Sequence, residues 1–208
     1  MKQFFVLFLT TIVSTSIFAQ ITFEKGYYID NSGQKVECLI KNMDWRTNPT
    51  DFKYKLSESE KLQEATLEDV QEFGVYNISK YIKSKVKLDK SSSNLDKLSN
   101  KKEPIFKEET LFLKVLLEGK ANLYLYQKDS EIRFFYKKDG SDIQQLIFKL
   151  YTAKTERGYD KVNENTIFRS QIWEELKCAD ITINMMSDLR KGVWSEIYSG
   201  KSIDTYRR

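Results

Sequence analysis

Leu111-Phe112-Leu113-Lys114-Val115-Leu116-Leu117, then Asn122-Leu123-Tyr124-Leu125-Tyr126, then Ile132-Arg133-Phe134-Phe135-Tyr136 is the stretch on which the fold reading turns. Each run is dominated by leucine or aromatic residues, with Val115 and Ile132 added. The runs are separated by Glu118-Gly119-Lys120, by Lys128-Asp129-Ser130 and, after the third, by Asp139-Gly140. A fourth run, Ile143 to Tyr151, follows. Short apolar runs between turn signals at regular spacing predict an antiparallel meander, and sequential strands tend to pair. Four strands in one sheet are therefore expected between Thr110 and Tyr151.

Working backwards, Tyr81 to Leu88 alternates strictly. Ile82, Ser84, Val86 and Leu88 take one face, and Lys83, Lys85 and Lys87 the other, as in a half-exposed strand. Ile21 to Ile29 and Gln34 to Lys41 flank Asp30-Asn31-Ser32-Gly33 and read as a hairpin. Phe52 to Leu56 is a short strand. Pro49 holds Asn48 extended. Thr66 to Val70 reads as one helical turn capped by Thr66, and Gln71 to Tyr76 as a return to strand. Residues 90–103, rich in Ser, Asn and Lys, read as a flexible loop.

Working forwards, the period changes. Phe168, Ile172 and Leu176 recur every four residues, with Ile167 and Trp173 widening the stripe, and Leu189, Val193 and Ile197 do the same. Two amphipathic helices ending at Gly200 are expected. Strands first and helices last predict an α+β fold. Its antiparallel β-rich body (residues 20–158) would carry a packed helical segment (159–208).

The start of the chain bears on compartment. Lys2, the apolar run Phe4 to Leu9 and the small exit residue Ala19 form a secretory signal peptide over residues 1–19. An uncleaved anchor is the alternative, but Thr10, Thr11, Ser14, Thr15 and Ser16 interrupt a stretch that would need about 20 apolar residues to span. With the signal removed, 189 residues remain, enough for a substantial core, and no transmembrane segment is expected among them. The expected location is the periplasm, the outer-membrane surface or the extracellular space.

Composition narrows the function classes. Lys and Arg total 34 against 30 Asp and Glu, interleaved rather than blocked, which gives no concentrated basic face for nucleic acid. The absence of His removes the Ser-His-Asp and Cys-His arrangements and the commonest metal ligand. No catalytic residue, cofactor or metal site is assigned. Gly200-Lys201-Ser202 imitates the end of a phosphate-binding loop, but Ser195 stands where that motif needs Gly, so no nucleotide is expected.

Two constellations remain. Cys38 and Cys178, in a chain expected in an oxidising compartment, are a candidate disulfide; two buried thiols are the alternative, and spacing does not decide. Tyr124, Tyr126, Arg133, Phe135 and Lys137 are a candidate aromatic-basic binding face for a glycan, a peptide or an envelope protein. Burial of that face under other elements is the competing reading.

Lys25 to Ile29, Glu37 to Asn42, Asp44-Trp45, Asn48-Pro49, Leu111 to Val115, Glu118 to Lys120, Arg133 to Tyr136 and Gln171 to Cys178 together resemble a group of uncharacterised secreted proteins of flavobacteria and other Bacteroidota. Some longer members continue into a porin-like outer-membrane β-barrel, which these 208 residues do not include. The resemblance implies export and transfers no catalytic residue. The expected function is an exported, non-catalytic cell-envelope or secreted protein that acts by binding. The alternatives are a carboxylate-dependent exported hydrolase and a docking module for an outer-membrane assembly.

Overall fold

Alternation of inward and outward side chains runs through most of the chain, and strands follow from it. A computed structural model describes residues 22–129, 131–138 and 140–175. Ten strands form one antiparallel sheet: β1 (Phe23–Asp30), β2 (Lys35–Lys41), β3 (Asp51–Lys55), β4 (Gln63–Thr66), β5 (Val70–Val75), β6 (Ser79–Asp89), β7 (Phe106–Leu117), β8 (Ala121–Lys128), β9 (Glu131–Lys138) and β10 (Gln144–Gln145). Their spatial order is β10-β9-β8-β7-β6-β5-β1-β2-β3-β4. A separate hairpin, β11 (Lys149–Lys154) with β12 (Asp160–Asn165), precedes helix α1 (Phe168–Glu175).

This corrects the α+β expectation: the described chain is mostly β. The four-stranded meander is not a sheet of its own, because β6 pairs with β7 over nine residue positions and carries the sheet on into β5 and β1. The run from Ile143 to Tyr151 also splits. Only Gln144 and Gln145 pair with β9. The chain then leaves the sheet, and Lys149–Lys154 pairs with Asp160–Asn165 across a tight turn containing Gly158 at φ +80°. Residues assigned to the helical segment thus supply a strand. Among the described residues α1 is the single α-helix; Leu176 and the second predicted helix (Leu189, Val193, Ile197) lie outside them. The helical turn expected at Thr66 is a β-turn instead. Asp69 N–H donates to the Thr66 carbonyl, and the Asp69 carboxylate accepts from the Thr66 N–H and hydroxyl.

That turn bends the whole sheet. β4 and β5 are four strands apart in the sheet order, about 19 Å if flat. Yet only three residues join Thr66 to Val70, a reach of about 14 Å at most. The strands from β5 to β4 must therefore curl towards closure. Inside the curl lie Ile40, Phe52, Phe73, Tyr81 and Phe112, all essentially buried, with Cys38 and Tyr54. Phe73 stacks on Phe52 at 4.2 Å and on Tyr81 at 4.9 Å between ring centroids. Such pairs contribute about 0.5–1.5 kcal/mol each beyond area burial.

A strap crosses this core. The segment between β2 and β3 carries Trp45 edge-on to Phe73 and Tyr81, then inserts Asn48 between β7 and β8. The Asn48 side-chain amide donates to the carbonyls of Phe112 (2.7 Å) and Leu125 (2.9 Å), and its carbonyl accepts from Gln127 N–H. The Asn48 backbone N–H donates to the Gln127 carbonyl. The β7–β8 ladder reaches only to the Lys114–Leu125 pair, and Asn48 takes up the backbone groups beyond it.

The segment expected to be a flexible loop is tied down at several points. Lys149 Nζ donates to the Glu103 carbonyl, Asn165 to the Lys102 carbonyl, and Thr152 N–H to the Ser99 carbonyl. Ser93 bonds to Glu131 through both its N–H and its hydroxyl. Arg133 donates to the carbonyls of Ser91 and Asp89 and pairs with Glu131 at 2.6 Å.

Candidate functional site

Period-2 alternation sends neighbouring residues to opposite faces. In β1, Tyr28 packs with Tyr54 and Phe52 in the core, so Tyr27 points the other way. Tyr27 pairs across the ladder with Glu37 of β2 and Gly74 of β5; Ile29 pairs with Lys35 and Glu72; Gly74 pairs with Lys80 of β6. Register therefore gathers Tyr27, Lys35, Glu37, Glu72 and Lys80 on one face. Tyr76, just beyond β5, and Glu118, from the β7–β8 turn, complete it.

Tyr27, Lys35, Glu72, Tyr76, Lys80 and Glu118 line an open groove of about 660 Å³ together with Ile78, Val115 and Leu117, and Glu37 stands beside it, held to Lys35 and Tyr76. Gly74 makes it possible: a Cβ there would lie 3.2 Å from the Tyr27 ring and 3.0 Å from the Ser79 carbonyl. Tyr27 and Tyr76 have ring centroids 5.3 Å apart. The Lys35 ammonium sits 4.3 Å from the Tyr27 ring centroid, donates to the Tyr76 hydroxyl at 2.8 Å, and lies 3.0 Å from Glu37. The Tyr76 hydroxyl in turn donates to the Glu37 carboxylate. On the other side Tyr27 donates to Glu72 at 2.6 Å, and Lys80 bridges Glu118 at 2.8 Å and Glu72 at 3.5 Å.

These contacts set the protonation states. The hydrogen bond from Tyr76, and then that from Lys35, hold the Glu37 carboxyl below its usual range. The bond to Tyr76, with Glu37 behind it, raises Lys35. Burial, reinforced by the bond to Glu72, raises Tyr27. Burial pulls Lys80 down, but Glu118 and Glu72 outweigh it and the net shift is upward. At neutral pH the corner around Lys35 pairs an ammonium with a carboxylate, bridged by the Tyr76 hydroxyl.

The five residues read as a binding face do share a face. Tyr124 pairs with Phe135, Tyr126 with Arg133, and Asn122 with Lys137. That face is core, however. Tyr124, Tyr126, Arg133 and Phe135 are buried, packed with Val86, Leu88 and Leu113 or held under the chain after β6, and only Lys137 is half-buried. Cys38 is buried beside Ile40, and burial pushes its thiol up to about 12. Its candidate partner Cys178 lies outside the described residues, as do residues 1–19 of the signal peptide.

Sequence reasoning missed the groove because its members come from five separate segments. The available signal was Gly74 inside a strand-like run, since glycine there often marks close approach of another group. Among the described residues no group of three or more Cys, Asp or Glu is placed to hold a metal, and no helix is long and apolar enough to cross a membrane. No family model matches this chain, and neither a curated protein nor a solved structure matches it.

Proposed function

We propose that this is an exported, non-catalytic protein of the cell envelope or its surroundings, and that it acts by binding a ligand in the groove between β1, β5, β6 and the end of β7. The observation that carries the binding reading is the groove's lining. It pairs an ordered tyrosine-and-charge network with solvent-exposed apolar side chains: Tyr76 is 40% exposed, Ile78 55% and Leu117 64%. Exposed apolar residues beside convergent polar groups are what recognition sites require. Export rests on the sequence of residues 1–19.

The hydrolase alternative would need a carboxyl group kept protonated near neutral pH. Glu37 is shifted the opposite way, Glu72 accepts from Tyr27, and Glu118 is paired with Lys80. This network suits holding a ligand rather than moving its protons.

A photo-crosslinking residue placed at Ile78, in protein expressed in its own cell envelope, should give a defined adduct that Tyr76→Ala abolishes. The same label at Leu95, away from the groove, should not. Equal adducts at both positions would remove the groove as the binding site. N-terminal sequencing of the exported protein should find Gln20 first; retention of Met1 would reject cleavage after Ala19.

A further inference from the structure

Resting on the reading of the groove as a binding site, we propose that its Tyr27–Tyr76–Glu37 corner recognises the ammonium group of a lysine side chain in an extended peptide, and that the protein's own Lys35 occupies this corner in the ligand-free state. An ammonium carries three N–H donors. Lys35 finds three partners here: the Glu37 carboxylate at 3.0 Å, the Tyr76 hydroxyl at 2.8 Å and the Tyr27 ring at 4.3 Å. The set suits a compact cation. A guanidinium is planar with five donors in a fixed fork, and would leave donors unmatched.

Lys35 is a displaceable occupant. Its side chain is 48% exposed on a flexible stem, and ion pairs at such exposure hold weakly. With Lys35 swung into solvent, the groove keeps Lys80 paired with Glu72 and Glu118, while Glu37 beside Tyr76 is left without its cation, so the corner attracts an incoming one. The rim favours a peptide over an amino sugar. Ile78 and Leu117 offer apolar contact to side chains flanking a lysine, whereas a sugar ring would set hydroxyls against them. Lys35 then sets a threshold, since every ligand must outcompete a tethered ammonium.

The test uses the exported chain and its Lys35→Met variant, which keeps the stem and removes the cation. Acetyl-Leu-Lys-Leu-amide, its Nε-acetyl form and a glucosamine trimer are titrated while the Tyr27 and Tyr76 ring resonances are followed by NMR. The lysine peptide should bind Lys35→Met roughly three- to tenfold more tightly than wild type. Nε-acetylation should abolish the gain. Adding Tyr76→Phe, which keeps the ring and removes the hydroxyl, or Glu37→Gln should reverse it. No gain in Lys35→Met, equal binding of the acetylated peptide, or preference for the glucosamine trimer would each overturn the proposal. Should those results appear while the Ile78 crosslink still depends on Tyr76, the lysine assignment falls and the binding role stands. Loss of both would eliminate the groove itself.

Discussion

Replacing Asn48 by Ala tests whether the strap holds the two parts of the sheet together. The substitution removes three side-chain hydrogen bonds, two donated to the carbonyls of Phe112 and Leu125 and one accepted from Gln127 N–H. Each is worth about 1 kcal/mol net, and partners left unpaired in a partly buried gap add to the loss. The expected cost is about 3 kcal/mol. With a urea slope near 2 kcal/mol/M, the unfolding midpoint should fall by about 1.5 M at unchanged slope. Asn48→Asp should be worse still at neutral pH. It keeps the acceptor for Gln127 but sets a carboxylate against two carbonyl oxygens. Asn42→Ala is the control, because Asn42 accepts only from the exposed Asp44 N–H and should cost well under about 1 kcal/mol. A loss at Asn48→Ala within about 0.5 kcal/mol of wild type would refute the idea that this side chain replaces the missing β7–β8 pairing.

Gly26→Ala should unfold the chain or lower its melting temperature far more than Gly33→Ala, as read by circular dichroism. A Cβ at Gly26 collides with the Gly74 carbonyl and meets Ile40 Cδ1 at 3.0 Å, whereas Gly33 at φ +87° has open space around it and risks only about 1 kcal/mol of backbone strain. Arg133→Met should leave the fold intact but accelerate trypsin cleavage at Lys97, Lys101 and Lys102, because Arg133 anchors the carbonyls of Asp89 and Ser91. Unchanged cleavage would mean that the loop holds without it. Alkaline pH should destabilise the protein. Burial, then the contact with Tyr54, raises Tyr28 to about 12 from the usual 10, so its stabilising contribution is intact below pH 10 and lost as pH climbs towards 12. Melting temperature and tyrosinate absorbance followed over that window should change together, and a flat melting temperature would contradict it.

What could be read in the chain was local. The alternation in Tyr81 to Leu88 and the Asp30 to Gly33 turn specify strand faces and one hairpin, and both sit in the structure where the residues placed them. Partner choice was not legible. Nothing in Gly26 to Asp30 announces pairing with Val70 to Val75, although that ladder closes the curl and assembles the groove. The same limit explains the reading of residues 90–103. Their polarity suggests solvation, but Glu131, Arg133, Lys149 and Asn165, which fix them, stand far along the chain. It explains the β8–β9 face too. Pattern puts Tyr124, Tyr126, Arg133 and Phe135 on one side, yet whether anything covers that side depends on where the chain after β6 folds.

Core and groove are two faces of the same strands, so one register serves both. In β1 the even positions, Gly26 and Tyr28, face the aromatic core, and the odd ones, Tyr27 and Ile29, face the groove. A one-residue slip against β5 would turn Tyr27 into the core and expose Tyr28, dispersing the Lys35–Tyr76–Glu37 corner as it broke the Phe52–Phe73–Tyr81 stack. Two glycines disfavour it. Gly26 admits no side chain where the Gly74 carbonyl approaches, and a Cβ at Gly74 would crowd the Tyr27 ring at 3.2 Å and the Ser79 carbonyl at 3.0 Å, so both favour the pairing of Gly26 with Val75 and of Tyr27 with Gly74. The close β1–β5 approach that locks the core is thus the same approach that brings Tyr27 beside Tyr76. Stability and the binding corner should therefore fail together when Gly26 is replaced, and separately when Lys35 or Tyr76 is, since those two side chains touch only the groove side.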